Sequence, residues 1–258
     1  MKSKALVVLS GGQDSTTCLF WAKRHFDEVH AITFDYGQVH RIEIQAATEV
    51  ATMANVASHE IVVIPDILKS TSPLTNNGKD LERYDNFEQM EKVIGDRVEK
   101  TFVPMRNTLF LTIAANRAVA LGAETLITGI CQEDNANYAD TTEDFRVKLE
   151  QAFDTSLKGM ARLKIVAPLM FFSKADTVRL AHEMPDCWKA MALTHTSYDG
   201  KYPPTDNNHS NVLRAQGFLE AGFPDPLVVR AWYEELMDLP LQPNYAPYLV
   251  QQCLREII

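Results

Sequence analysis

Apolar residues recur along this chain in two alternating patterns. Short apolar runs, typical of buried strands, are separated by segments whose apolar residues return every three or four positions, as in amphipathic helices. The predicted strands are Ala5–Leu9, Val29–Phe34, Glu60–Ile64, Thr125–Thr128 and Lys164–Ala167, and the predicted helices are Thr16–His25, His40–Ala54, Thr108–Leu121 and Phe145–Lys158. This alternation predicts an α/β fold in which helices cover both faces of a parallel sheet. Ligands of such sheets gather beyond the carboxyl ends of the strands, so we expect the site in the loops there.

Two regions interrupt the alternation. Residues 66–101 form a polar, charge-rich stretch that is too long for a simple connection, and we predict a partly helical lid there. From about residue 184, prolines at 185, 203, 204, 224 and 226 divide the chain, and two amphipathic tail segments follow, Leu227–Leu239 and Tyr245–Ile258. We therefore predict a main domain over residues 1–184 and a small, mostly helical C-terminal subdomain over residues 185–258.

The first strand ends at Ser10-Gly11-Gly12-Gln13-Asp14-Ser15, directly before the first predicted helix. Two adjacent glycines permit a tight turn that brings the backbone close to a ligand, and the amides at the start of the next helix favour an anion. The spacing is neither that of a Walker A loop nor that of the dinucleotide fingerprint. An ordinary turn is the alternative for a glycine pair alone. With a strand before it and a helix after it, the segment predicts a phosphate loop with two serine hydroxyls as further donors.

Four segments together resemble the 7-cyano-7-deazaguanine synthase (QueC) family of PP-loop ATP pyrophosphatases. They are Leu9–Thr17, Ala31–Gln38 with His40–Glu43, Phe102–Pro104 with Arg106-Asn107, and Pro168–Met170 with Ser173–Ala175. The resemblance implies an ATP-dependent carbon–nitrogen ligase that uses Mg²⁺. It implies that the carboxylate of 7-carboxy-7-deazaguanine is adenylated with release of pyrophosphate, that ammonia displaces AMP to give the amide, and that a second activation gives the nitrile.

This chemistry indicates roles for further residues. A carboxylate and a triphosphate repel each other, so the site has to screen charge while it aligns the carboxylate with the α phosphorus. Arg106 and Lys174 are candidate cationic clamps, with Asp14 as a third catalytic candidate; a surface ion pair is the alternative for either cation. Asp35 and Gln38 suit nucleotide recognition at a strand end, although an Asx turn explains Asp35 almost as well.

We expect the deazaguanine to contact Arg106, Asn107, Asp134, Tyr138 and Asp140. Asp134 either accepts hydrogen bonds from the amidine edge of a guanine-like base or helps to hold Mg²⁺, and packing is the alternative for Tyr138. The family usually has Ser-Gly-Tyr-Pro-Asp-Cys-Arg at this loop, whereas the chain reads Ala136-Asn137-Tyr138-Ala139-Asp140-Thr141-Thr142. The arginine is therefore missing, and with it a fixed positive charge. Met105 also replaces the family's glycine before Arg106.

A further departure concerns the zinc site that the family carries near its C-terminus. The four cysteine positions correspond to Ser197, Thr205, Asn208 and Asn211. Hydroxyl and amide groups are poor zinc ligands, and the neighbouring His195 and His209 alone make a weak site. We therefore expect no zinc and a subdomain that is held by other means, such as the tail.

Charge and composition exclude several functions. A formal net charge of −9 argues against a general nucleic-acid-binding surface. Neither a long apolar run nor a secretion signal is present, so we expect a cytoplasmic protein without a membrane span. Cys18, Cys131, Cys187 and Cys253 form no Cys-x-x-Cys pair and are expected as buried thiols. The tail aromatics Trp232, Tyr233, Tyr245 and Tyr248 offer a surface for a homodimer or a protein partner, with core burial as the plainer interpretation.

The sequence leaves several functional hypotheses open. The nitrogen nucleophile is either ammonia, as in the family, or an amine of a protein or other partner, as in a repurposed enzyme of anti-phage defence. The altered substrate loop, the lost metal site and the additional tail motivate the second version. A nucleotide-binding sensor without turnover is the non-enzymatic alternative, which the intact loop, Arg106 and Lys174 disfavour. Other PP-loop activities, such as tRNA thiolation or NAD synthesis, are disfavoured by the deazaguanine-family motifs.

Overall fold

Five parallel strands form one sheet in the computed structural model, which describes residues 2–38, 41–75, 80–133 and 136–258. The strands are β1 (Lys4–Val8), β2 (Glu28–Asp35), β3 (Ser58–Val63), β4 (Thr125–Ile127) and β5 (Lys164–Val166), in the order β3-β2-β1-β4-β5. β1 is central, with Val7 opposite both Ala31 of β2 and Ile127 of β4. The strand order reverses between β1 and β4, and a crevice at such a point is the usual ligand site of an open parallel sheet.

Helices cover both faces of this sheet. The helices are α1 (Gln13–His25), α2 (Ile42–Met53), α3 (Phe87–Ile94), α4 (Arg106–Leu121), α5 (Glu143–Ser156), α6 (Lys174–His182), α7 (Pro185–Met191), α8 (His209–Ala221), α9 (Pro226–Tyr233) and α10 (Pro247–Ile257). Side chains alternate along β1, because successive residues of a strand point to opposite faces. Ala5 and Val7 pack in a cluster with α1, α2, α6 and α7, whereas Leu6 packs with α4 and α5. The predicted α/β class is confirmed.

The segment between β3 and α4 is partly helical, as predicted. Its helix α3 begins at the cap of Asn86, whose side chain accepts from the Gln89 amide at 2.9 Å. Met90 and Ile94 of α3 are buried in a small cluster with Leu213 of α8. The segment thus packs against the C-terminal part of the chain, and its action as a lid stays a prediction.

The C-terminal helices share their core with the main sheet. Cys187 and Trp188 of α7 and Val250 of α10 are buried in the same cluster as α1. The division at residue 184 stays a prediction. Among the tail aromatics, Tyr245 is buried, whereas Trp232, Tyr233 and Tyr248 are exposed. The four cysteines are buried, as expected, and burial raises the pKa of the Cys187 thiol to about 12. Over the described ranges, no helix has the length and apolar character needed to span a membrane.

A buried arginine ties α8 to its neighbours. Arg214 donates to both carboxylate oxygens of Asp225, at 2.6 and 2.8 Å, and both side chains are almost fully buried. Asp225 also caps α9, where it accepts from the Leu227 amide at 3.0 Å. The remaining guanidinium nitrogen of Arg214 donates to the hydroxyls of Thr194 and Thr196, at 2.9 and 2.8 Å. One side chain therefore joins α8, α9 and the segment 194–196.

Candidate active site

The phosphate loop joins β1 to α1, and its serines hold its shape. The Ser15 hydroxyl donates to the Gly12 carbonyl at 3.1 Å and accepts from the Ser10 amide at 3.1 Å. The Ser10 hydroxyl lies 3.0 Å from that of Ser15 and accepts from the Gly12 amide at 3.3 Å. The sequence predicted these hydroxyls as additional phosphate donors, whereas the structure uses them inside the loop.

The start of α1 opens on a cavity at the carboxyl end of the sheet. Gly12 is the N-cap of α1, and the first intrahelical bond runs from the Thr16 amide to the Gly12 carbonyl at 3.1 Å. Gly12, Gln13, Asp14 and Ser15 all line the cavity. Because the first amides of a helix have no acceptor within the helix, this wall favours an anion.

Gly11 allows the phosphate loop and α2 to approach each other closely. Its φ of +85° is a conformation that side-chain-bearing residues rarely adopt, and a Cβ there would lie 2.3 Å from the Glu43 carbonyl oxygen and 2.7 Å from the Ala47 amide nitrogen. The residue is therefore required for packing against α2. Gly11 does not itself line the cavity, whereas Gly12 does.

Lys174 and Asp14 form an ion pair at the phosphate loop. The Lys174 ammonium lies 2.8 Å from the Asp14 carboxylate, and only 11% of the Lys174 side chain is exposed. Lys174 is the first residue of α6, whose cap Ser173 forms a capping box with Asp176. Asp14 lines the cavity, whereas Lys174 does not. The structure thus brings these two predicted catalytic residues together, with the lysine behind the aspartate.

Arg106, the first residue of α4, lines the same cavity. Its guanidinium group interacts electrostatically with Tyr36, Tyr138 and Tyr198, and it also forms a hydrogen bond with Tyr36. Burial raises the pKa of Tyr36, and the charge of Arg106 opposes this increase. Arg106 lines the cavity, and no ion pair between it and a carboxylate occurs in the part of the chain that the structure describes. This agrees with its predicted role as a cationic clamp, which remains to be tested.

The predicted substrate residues after β4 lie around Arg106. The Tyr138 hydroxyl lies 2.6 Å from that of Thr101 and donates to Glu99 at 3.2 Å, and its ring is 5.3 Å from that of Phe102. The Asn107 side chain donates to the Asp140 carbonyl at 3.2 Å. Burial raises the pKa of the Asp140 carboxyl group. Tyr138 and Asn107 line the cavity, whereas Asp140 supports the start of α4 from behind.

The side chains of Asp35 and Gln38 form their contacts mainly within their own loop. Asp35 pairs with Arg41 at 3.1 Å and accepts from the Gly37 amide at 3.3 Å, which supports the Asx-turn interpretation. Gln38 lines the cavity, but its side-chain oxygen accepts from the Tyr36 amide at 3.0 Å. Asp134, which was predicted to contact the base or Mg²⁺, lies outside the described residues, as does His40.

Sequence reasoning missed a second carboxylate on the cavity wall. Glu43 is the second residue of α2 and lines the cavity together with Asp14 and Arg106. Burial raises the pKa of Glu43 to about 7, although the charge of Arg106 acts in the opposite direction. Glu43 stands at the end of the motif that carried the family resemblance, but nothing in its sequence context showed which way its side chain points.

Comparison with known proteins identifies the family of the chain. The model of the family "Queuosine biosynthesis protein QueC" matches residues 4–222. The chain belongs to the QueC family. Curated 7-cyano-7-deazaguanine synthases from Laribacter hongkongensis, Gloeobacter violaceus and Chromobacterium violaceum are 45%, 42% and 42% identical to it. These matches cover 88%, 87% and 90% of this chain and 94%, 95% and 95% of the respective relatives.

Three of the four positions that the resemblance assigns to zinc cysteines, Ser197, Asn208 and Asn211, form a cluster of hydrogen-bonded polar groups, and Thr205 is not part of it. The Ser197 hydroxyl accepts from the Asn208 amide group at 3.2 Å and from that of Asn211 at 2.8 Å, and it donates to Asp199 at 2.5 Å. Asn208 is also the N-cap of α8, accepting from the Asn211 amide nitrogen at 3.2 Å. The amide hydrogens of both asparagines point at Ser197, so this donor set does not fit a zinc ion. Among the described residues, no three or more His, Cys, Asp or Glu side chains come together in a group that could hold a metal ion.

Met105, another departure from the QueC family, has a strained backbone conformation. It caps α4 with φ +65° and ψ +4°, the left-handed conformation that favours glycine. The family's glycine at this position therefore has a backbone reason. The methionine side chain is largely exposed, so packing does not offset the strain.

Proposed function

We propose that the protein is an ATP-dependent ligase that adenylates the carboxylate of 7-carboxy-7-deazaguanine and passes the acyl group to nitrogen. The observation that carries this proposal is the shared cavity. The helix amides of the phosphate loop form one wall, and the guanidinium group of Arg106 forms another. Membership of the QueC family and the curated synthases among its relatives support the substrate class.

In this proposal, the residues on the different walls of the cavity have different roles. The loop around Gly12 holds the β and γ phosphates, the leaving group of adenylation. Arg106 offsets the charge of the acid and the α phosphate as they approach. The Lys174–Asp14 pair fixes the start of α1, so that Lys174 acts through Asp14. Asp14 provides a carboxylate oxygen, the donor type that Mg²⁺ prefers, and a bound Mg²⁺ would offset phosphate charge there.

Tyr138 and Asn107 are the described residues that we propose for contact with the deazaguanine ring. Both line the cavity beside Arg106, and Tyr138 brings an aromatic face together with a hydroxyl group. Asp140 positions Asn107 through its carbonyl and is proposed as a supporting residue.

Exchange of labelled pyrophosphate into ATP tests the adenylation step. We expect exchange that depends on 7-carboxy-7-deazaguanine, whereas guanine, which has no carboxylate, supports none. Arg106→Ala is expected to lower the rate by about 100-fold or more, because it removes charge stabilisation of the transition state. Arg106→Lys, which keeps the charge but loses the planar fork, is the matched control. Absence of acid-dependent exchange by folded wild-type protein would contradict the proposal and favour a nucleotide sensor.

A second candidate is transfer of the acyl group to an amine of a protein partner. It is favoured by α9 and α10, which lie beyond the residues matched by the family model, and by the exposed aromatics of the tail. Mass spectrometry of reactions with ammonium separates the two candidates. Efficient nitrile formation supports the family reaction, whereas accumulation of the adenylate or the amide supports another acceptor.

A further inference from the structure

Glu43 lies where the phosphate loop and α2 come closest. The Glu43 carbonyl oxygen would lie 2.3 Å from a Cβ on Gly11, so the first turn of α2 is fixed against the loop backbone. The Glu43 side chain lines the cavity between this loop and α4. If the loop holds the pyrophosphate end of ATP, this carboxylate lies near the end of the cavity where the acyl–phosphate bond is made and broken.

The Glu43 carboxylate also lacks a structural partner among the described residues. Over the described ranges, no hydrogen bond and no ion pair within 4.0 Å reaches it. Asp35, by contrast, is bonded to Arg41 and Gly37, and Asp14 is bonded to Lys174. A carboxylate that lines a cavity without a partner costs desolvation energy, and such groups are candidates for chemistry.

The surroundings of Glu43 favour a group that gains and loses a proton near neutral pH. Burial raises its pKa to about 7, and Arg106 of α4 is the charge that opposes this increase. Arg41, the N-cap of the helix that carries Glu43, pairs with Asp35 instead. The other titratable side chains that line the cavity are Asp14, Tyr36, Cys131, Tyr138, His195 and Tyr198.

The second half of the proposed reaction requires a base. When an amine attacks the acyl adenylate, its electron pair forms the carbon–nitrogen bond, the carbon–oxygen bond to phosphate breaks, and AMP leaves with that electron pair. The new carbon–nitrogen bond leaves the nitrogen positively charged until it loses a proton. In addition, little of the amine is in its free, nucleophilic form at neutral pH, because most of it is protonated. A base whose proton affinity matches the working pH is the most effective one.

We propose that Glu43 is the general base that takes this proton from the attacking nitrogen. The proposal rests on the ligase function above and adds a residue to its second step. It holds for ammonia and for a protein amine alike, since both have to lose a proton as the new bond forms.

The test separates adenylation from nitrogen transfer in one variant. Glu43→Gln keeps the size of the side chain but removes the basic oxygen, so we expect pyrophosphate exchange within about twofold of wild type. Amide formation from ammonium at pH 7 is expected to fall by about 100-fold, the usual contribution of a general base. Hydroxylamine, which is largely unprotonated at pH 7, is expected to restore transfer to within a few-fold of wild type.

Glu49→Gln is the matched control, because Glu49 lies on the same helix, does not line the cavity and forms its one side-chain hydrogen bond in the described part of the chain with Gln45. It should leave both steps unchanged. Glu43→Asp, which keeps the carboxylate, should retain part of the transfer rate and its dependence on pH. Circular dichroism and thermal unfolding establish that each variant is folded.

The outcomes are distinguishable. Unchanged ammonia transfer in Glu43→Gln overturns the role as base. A parallel loss of exchange and transfer overturns it too, because it indicates a structural or metal-binding role. Acid-dependent exchange in wild type with a selective loss of ammonia transfer in Glu43→Gln supports it. If the wild-type protein shows no pyrophosphate exchange, the proposed ligase function is wrong. The role of Glu43, which depends on that function, is then wrong too.

Discussion

Two clusters of hydroxyl and amide groups lie at the wall of the same cavity, and they use their hydrogen bonds differently. In the phosphate loop, Ser10 and Ser15 bond to each other and to Gly12, which leaves the first amides of α1 directed at the cavity. Around Ser197, the side chains of Asn208 and Asn211 are directed at the serine hydroxyl itself.

This difference teaches that residue type alone does not make a binding site. Both clusters consist of small polar side chains at the start of a helix, α1 in one case and α8 in the other. In the loop, the side chains satisfy one another and the backbone is left to bind a ligand. In the Ser197 cluster, the side chains bond to one another instead, and these hydrogen bonds join the segment 197–199 to the start of α8.

The largest expected effect concerns the buried ion pair of Arg214 and Asp225, which joins the helix of the Ser197 cluster, α8, to α9. Arg214→Met leaves the Asp225 carboxylate buried without its cation and releases Thr194 and Thr196. We expect the free energy of unfolding to fall by about 3–5 kcal/mol, as for a broken buried pair. Denaturant unfolding measures it, and Arg255→Met on the exposed face of α10 is the control. A loss below about 1 kcal/mol would show that the ion pair does not hold this region.

The next effect separates the two glycines of the phosphate loop. Gly11→Ala combines a positive φ with a Cβ that meets the backbone of α2, so we expect a loss of about 2–3 kcal/mol in unfolding free energy and impaired ATP use. Gly12→Ala meets nothing closer than 3.5 Å and should change stability by less than about 1 kcal/mol. Thermal unfolding and pyrophosphate exchange of both variants check the contrast. Equal losses would mean that the approach of α2 is unimportant.

A pH dependence follows from His209, the first residue of α8. Burial lowers its pKa to about 4, whereas the pKa of an exposed histidine is about 6.5. The unfolded chain therefore binds a proton more readily than the folded one, and stability is lost as the pH falls from about 6.5 towards 4, by up to about 3 kcal/mol.

Denaturant unfolding across this pH window, compared between wild type and His209→Gln, measures the contribution of His209. Carboxyl groups titrate in both proteins, so their effect cancels in the difference. The variant should show a flatter pH profile. Identical profiles would contradict the assignment.

The smallest expected effect is that of a metal chelator. Because the Ser197 cluster offers hydroxyl and amide groups in place of thiolates, we expect the midpoint of thermal unfolding to be the same with and without chelator. A metal-loaded QueC relative with its four cysteines, measured in parallel, is the positive control. A fall in the midpoint for this protein would show that it holds a structural metal after all.

Much of the fold was predictable because its signals are local. The five predicted strands and four predicted helices all occur, within a few residues of their expected ends. The phosphate loop was recognisable from six consecutive residues, since its function depends on backbone amides that the glycines and the next helix position. The replacement of the four cysteines by other residues could also be seen in the sequence, because it depends only on residue type.

The candidate site was predictable in part. The sequence named Asp14, Arg106 and Tyr138, which line the cavity, but it did not show that Lys174 lies behind Asp14 or that Asp35 is held by its own loop. Glu43 was overlooked as a site residue, since a glutamate in the first turn of a helix is most often a surface residue. Only the approach of α2 to Gly11 turns it towards the cavity.

By itself, the sequence determined the order of strands and helices, the phosphate loop and the family, because periodicity, glycine spacing and motifs act between neighbouring residues. The tertiary structure decided which distant groups meet. Lys174 reaches Asp14 across 160 positions, and Asn211 reaches Ser197 across 14. Such contacts depend on how whole helices pack on the sheet, and packing is a collective property of the core that no short segment encodes.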